Sequence, residues 1–230
     1  MLAEDPAPDP RLAIVVDDLG NDRAALDRVV AIAEPLAGAV LPGLPRSRAT
    51  ALALRSAGKE VLLHLPMEPL DPGAKPGPGL VRTAMTPAEV GAVVSADLDD
   101  VPGAAGVNNH MGSKATADRR TMDAVLSVLG KRGLFFLDSR TTAFTVAAQE
   151  AGRLGVRCRS RSVFLDDVPE DAAIRAQLER AVAEARSEGA AVAIGHPHPA
   201  TLAVLEQELP ALREEGIRLV VVSELFAGEK

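Results

Sequence analysis

Short, unbroken apolar runs alternate along this chain with longer stretches in which apolar residues recur every three or four positions. The first kind reads as strands buried on both faces and the second as amphipathic helices. On that basis strands are expected at 12–16, 37–41, 60–63, 104–107, 134–137, 156–165, 190–194 and 217–222. Helices are expected at about 21–34, 47–57, 86–99, 118–129, 142–154 and 170–188. A further helical stretch follows residue 199, and Pro210 is expected to divide it in two. Thr86-Pro87-Ala88-Glu89 is a capping box with proline at the first helical position, which fixes one helix start. Residues 66–80 are rich in Pro and Gly and read as a long irregular loop.

Strand followed by helix, repeated seven or eight times with short connections, is the pattern of a parallel α/β sheet with helices outside it. At 230 residues the expected form is an irregular (β/α) barrel of seven or eight parallel strands, with an open doubly wound sheet as the alternative. Residues 1–10, acidic and Pro-rich, read as a linker, and 11–230 as one domain. The N-terminus lacks the pattern of a signal peptide. No apolar run is long enough for a membrane-spanning helix.

Composition narrows the choice of partners. A net charge of −7 argues against nucleic acid, whose phosphates call for a basic surface. Arg157, Arg159 and Arg161 share one strand face and read as a solvated stripe. Cys158 is the single cysteine, so neither an internal disulfide nor a cysteine-based zinc site can form. With no Trp, no Tyr and five Phe, the chain is short of the flat aromatic faces on which long sugar platforms are built.

The candidate chemistry collects at one end of the predicted strands. Asp17 and Asp18 close the first, and Asp is among the poorest strand formers. Buried carboxylates are costly unless paired or metal-bound. All four histidines of the chain, His64, His110, His196 and His198, follow predicted strands, as do Asn108, Asp138 and Asp166. In parallel α/β architectures these ends share one rim, where active sites are built. His with Asp is the ligand set of a zinc-type hydrolase, with three protein donors and one open position. Such an ion brings the pKa of its water toward ~7. His64 and Glu68 are four apart, but Pro66 between them rules out the helical zinc-protease motif. Asp166 and Asp167 read as caps of the following helix. Asn108 and Asn109 either hold a ligand or tie down a turn.

Five blocks, in order and spacing, resemble the divergent polysaccharide deacetylase family. They are Val15-Val16-Asp17-Asp18-Leu19-Gly20, Leu63-His64-Leu65-Pro66-Met67-Glu68, Asn108-Asn109-His110-Met111-Gly112-Ser113, Phe136-Leu137-Asp138-Ser139 and Gly195-His196-Pro197. The resemblance covers about residues 11–225 and is most specific in the Asn-Asn-His-Met-Gly-Ser block. It implies an irregular seven-stranded (β/α) barrel, a divalent metal with zinc as the default, and removal of acetyl groups from an amino sugar or polysaccharide. It also implies a periplasmic or cell-envelope setting. By the same resemblance Asp17 is the general base, Asp18, His64 and His110 are the metal ligands, Asp138 orients its neighbours, and His196 is the general acid. Glu68, Asn108, Asn109, Ser113 and His198 fall to substrate binding or to support of the ligands. Conventional deacetylases carry a second metal-binding histidine where this chain has Glu68. Two alternatives are therefore open: Glu68 binds the metal, or His110 replaces the missing histidine from another strand. They also carry an aromatic residue beside the substrate that is missing here. A non-catalytic glycan-binding protein on the same fold is the rival to the hydrolase, and a metal-free carboxylate pair drawn from Asp17, Asp18 and Asp138 is a third reading.

Overall fold

The computed structural model describes residues 9–226. Nine strands and seven helices follow one another as expected: β1 (Arg11–Leu19), α1 (Arg23–Ala31), β2 (Ala37–Val40), α2 (Ser47–Ser56), β3 (Glu60–Met67), α3 (Pro87–Asp100), β4 (Gly106–Met111), α4 (Arg119–Arg132), β5 (Phe135–Asp138), α5 (Ala147–Leu154), β6 (Cys158–Ser160), β7 (Val163–Phe164), α6 (Asp171–Glu188), β8 (Ala190–Gly195), α7 (Pro199–Glu214) and β9 (Arg218–Val220). Every strand pairing is parallel. The order across the sheet is β6-β5-β4-β3-β2-β1-β8-β7, and β9 lies against the start of β1. The expected linker, residues 1–10, falls mostly outside the described residues.

The strand expected over 156–165 is two strands at opposite edges of that order. The Arg161 N–H donates to Asp138 O on the β5 side, and the next residue, Ser162, donates to Val192 O on the β8 side. One peptide step thus joins the two edges, so the sheet curls into a barrel-like form, with no pairing between β6 and β7. Three further expectations need correction. Asp17 and Asp18 lie inside β1 rather than beyond its end, and His64 and His110 likewise lie inside β3 and β4. Pro210 sits within an unbroken α7. The 142–154 helix starts only at Ala147, because its first residues form a separate loop.

Alternation along the strands builds two layers. Leu12, Ile14 and Val16 pack outward with the helices, whereas Ala13 and Val15 face the barrel interior with Leu62, Phe135, Leu137, Val192 and Ile194. Phe226, behind the last strand, plugs that interior against Phe135, ring centroids 5.1 Å apart. Among the described residues no helix is long and apolar enough to cross a membrane.

Candidate metal centre

The inward parity of each strand continues from the apolar interior into the polar rim. Ala13 and Val15 lead to Asp17, Leu62 to His64, Gly106 to Asn108 and His110, and Val192 and Ile194 to His196. Asp18 would point outward by that rule. A register shift between Val16 and Leu19, with Asp18 at φ 55°, turns it inward instead. Such bulges re-aim side chains beside active sites, and Asp tolerates the left-handed region better than most residues. Both consecutive carboxylates therefore reach the same site.

Three donor atoms meet there. Asp18 Oδ1 lies 3.2 Å from His64 Nε2 and 3.0 Å from His110 Nδ1, and the two ring nitrogens are 3.1 Å apart. Asn108 decides what His64 offers to this triangle. Its amide nitrogen donates to Asp17 Oδ1 at 2.8 Å, so its oxygen faces His64 Nδ1, also at 2.8 Å, and accepts that ring proton. His64 Nε2 is then a lone-pair donor aimed at a carboxylate oxygen. Asp18 Oδ1 is buried and has no hydrogen-bond partner. An electron-rich triangle of this kind is satisfied by a cation. Donors sharing one ion at about 2.0–2.1 Å stand roughly 2.9–3.4 Å apart, so the donor set fits a divalent metal. Burial disfavours charge on Asp18; when the imidazoles of His110 and His64 instead carry their protons toward it, they outweigh burial and hold its carboxyl well below the usual range.

Asp17 is buried beside the triangle, with Oδ2 3.6 Å from His64 Nε2. Desolvation pushes its pKa up, against the pull of His64 and Asn108. His196 faces them from β8, its Nε2 3.8 Å from Asp18 Oδ2. Asp166 holds His196 from behind, accepting from Nδ1 at 3.0 Å and from the peptide N–H at 2.6 Å, with Thr201 donating to the same carboxylate at 2.7 Å. Burial works against the charged imidazole, yet Asp166 outweighs it and raises the His196 pKa. Asp166 is thus the partner of His196 rather than a helix cap. Its signal in sequence was only its place at a strand end.

Arg161, expected to stand in a solvated stripe with Arg157 and Arg159, is half-buried. Its Nε donates to Ser139 O at 2.8 Å, and its guanidinium lies 4.8 Å from the Phe164 ring centre. Arg157 and Arg159 lie over Phe226 at 5.4 and 5.8 Å. Arg159 and Arg161 are thus half-buried against aromatic faces, whereas Arg157 stays exposed as expected.

The other expected residues surround the triangle without joining it. Asp138 has the opposite parity, beside outward-facing Phe136, and accepts from Arg140 N and Thr145 Oγ1, each at 2.8 Å. Glu68 is engaged by Lys114 at 2.7 Å and by Thr83, which hold its carboxyl down at about 2 against the effect of burial. Of the two alternatives, His110 and not Glu68 stands beside His64. Asn109 ties β4 to the next strand by accepting from Ser139 N, and Ser113 accepts from Leu70 N. His198 is exposed at the start of α7, its ring centre 5.6 Å from that of His196. Gly112 closes the block because a Cβ there would stand 2.9 Å from Met67 Cβ.

Similarity to known proteins agrees with this architecture. The model of the divergent polysaccharide deacetylase family matches residues 14–226. The uncharacterized protein YibQ of Escherichia coli (strain K12) is 42% identical over 218 residues, covering 94% of this chain and 67% of its own length. The crystal structure of the uncharacterized protein ATU2773 from Agrobacterium tumefaciens C58 superposes with a TM-score of 0.89 at 24% identity, covering 96% of this chain and 91% of that one. BA3943, a CE4 family pseudoenzyme from Bacillus anthracis, shares the fold at a TM-score of 0.56 and 14% identity, covering 96% of this chain and 69% of its own. The chain belongs to the divergent polysaccharide deacetylase family.

Proposed function

We propose that the protein is a metal-dependent hydrolase that removes acetyl groups from an amino sugar or polysaccharide in the cell envelope. The observation that carries this reading is the triangle of Asp18, His64 and His110, whose three donor atoms stand within about 3.2 Å of one another, as ligands of one ion would. A divalent ion bound there supplies Lewis acidity and a water that ionises near neutral pH. Zinc is the default for such donors, although His and carboxylate suit several ions. Asp17, desolvated and aimed past His64, takes the proton of the attacking water. His196 gives its Nε2 proton to the departing nitrogen, and Asp166 keeps the other ring proton in place. Asn108 holds His64 in the tautomer that binds metal and orients Asp17 with the same amide.

The test is acetate release from N-acetylated chito-oligosaccharides by the chelated and the metal-reconstituted protein. Release that depends on added metal supports the reading. Tight metal binding without release from any acetylated sugar rejects it. The second reading, a glycan-binding protein without turnover, is favoured by one observation. Glu68 stands where conventional members carry a histidine, and it is committed to Lys114 and Thr83. Glycan affinity unaffected by chelator, with no acetate formed, would establish it.

A further inference from the structure

Of the four histidines in the chain, His198 alone has no task in the hydrolase reading. It occupies the N-cap position of α7 between Pro197 and Pro199, with its backbone held extended at φ −67° and ψ 145°. Its side chain makes no capping hydrogen bond. The ring is exposed, and its centre lies 5.6 Å from that of His196.

With Asp166 the two histidines make a second donor set. One ligand atom from each of Asp166, His196 and His198 lies within 4.8 Å of the others. Asp166 Oδ1 and His196 Nδ1 are already 3.0 Å apart, within the roughly 2.9–3.4 Å that two donors sharing one ion adopt. The other carboxylate oxygen is braced by the His196 peptide N–H at 2.6 Å and by Thr201 Oγ1 at 2.7 Å. Oδ1 therefore keeps its place when its own partner changes, which is the support that metal-binding carboxylates receive. Asp166 is buried, His196 half-buried and His198 exposed. The set thus opens to solvent on the His198 side, where that ring can turn onto an arriving ion.

We propose that Asp166, His196 and His198 form a second, weaker zinc site whose occupation switches the hydrolase off. The ion replaces the proton that joins Asp166 Oδ1 to His196 Nδ1, and that proton leaves to solvent. One carboxylate and two imidazoles are also the donors of the first site, so both take the same metals. The second binds less tightly because it displaces a hydrogen bond and adjoins the first ion, His196 Nε2 being 3.8 Å from Asp18 Oδ2. With Nδ1 on the ion, the His196 ring keeps a single proton on Nε2, and releasing it would leave an imidazolate. Proton delivery to the departing nitrogen then stops. The site stands on its own geometry, whereas its effect on turnover rests on the hydrolase reading.

The experiment titrates the untagged, chelator-stripped full chain with zinc against a fluorescent chelator. Acetate release from N-acetylated chito-oligosaccharides is followed at one equivalent of zinc and at saturation. The parent should bind two ions, the second at least about tenfold more weakly, since like charges this close repel. His198→Ala should weaken the second site by at least about 100-fold, more than an orienting partner is worth, and keep the first. His110→Ala should do the reverse. His198 is exposed, so its variant retains the fold. Acetate release by the parent should fall at least about tenfold between one equivalent and saturation, while His198→Ala holds its own one-equivalent rate. A single ion in the parent, or two ions in His198→Ala, overturns the site. Two ions in the parent with an unchanged or rising rate overturn the switch, as does equal inhibition of both proteins. Two ions without acetate release at any zinc level reject the hydrolase, and with it the switch, and keep the second site.

Discussion

Asn108 and His64 face each other across β4 and β3 with Asn108 Oδ1 2.8 Å from His64 Nδ1, while the Asn108 amide nitrogen is held 2.8 Å from Asp17. A single amide therefore fixes a ring tautomer and a carboxylate together. Partners that orient metal-bound histidines are commonly worth 10- to 100-fold in affinity. Asn108→Ala is expected to weaken zinc binding by about that factor, measured by competition against a fluorescent chelator. Unchanged affinity would show that His64 finds its tautomer without Asn108.

His110 and Glu68 are separated by a sharper test. His110→Ala removes one corner of the triangle and should weaken zinc binding by at least about 100-fold, more than the loss of an orienting partner alone. Glu68→Gln breaks the Lys114 ion pair, which is half exposed and worth little, and should leave zinc affinity within about twofold. The opposite pattern, read by the same competition, would make Glu68 the third ligand.

For His196 the expectation divides binding from turnover. His196→Ala should keep the zinc affinity of the parent while acetate release falls by about 10²–10⁴, the usual contribution of a positioned proton donor. Parallel loss of both would instead make His196 a ligand.

Stability should depend on pH through Asp97, on the buried side of α3. Burial, with the Asp100 charge second, pushes its carboxyl up to about 7 from an ordinary 3.8, and Oδ2 has no hydrogen-bond partner. The folded chain then keeps a proton that the unfolded chain releases, so this contribution to stability is present below pH 3.8 and lost as pH rises through about 7. Asp97→Asn cannot ionise. It is expected to melt close to the parent at pH 4.5 and higher than the parent at pH 8, by about 1 kcal/mol or roughly 2–4 °C. Equal shifts at both pH values would show that the carboxylate is solvated.

Cys158 offers a simple check on the barrel end. Burial, reinforced by the Asp138 charge, pushes its thiol up to about 12. The thiolate is the reactive form, so iodoacetamide at pH 8 should label the native protein far more slowly than the urea-unfolded chain. Labelling at equal rates would place Cys158 in solvent.

Much of this protein was legible in the residues alone. Leu12–Val16 could only be a doubly buried strand, and Thr86 with Glu89 named a helix start that the capping box confirms. The strand-end carboxylates and histidines identified the rim, because parallel strands bring their carboxyl ends together, and the family resemblance singled out Asp18, His64 and His110 among them. Local pattern reaches no further than local geometry. The 156–165 segment carries one apolar rhythm, yet the curl of the sheet splits it between two edges. Asp138 and Asp166 look alike in sequence, each ending a strand. Strand parity turns Asp138 outward to brace a loop, while Asp166 meets His196 from a strand on the far side of one peptide step. Asp18 is the reverse case, an outward position turned inward by a bulge that no periodicity encodes. The sequence determined which side chains reach the rim. Which of them touch was decided by register, bulge and curl, since those depend on contacts between segments far apart in the chain.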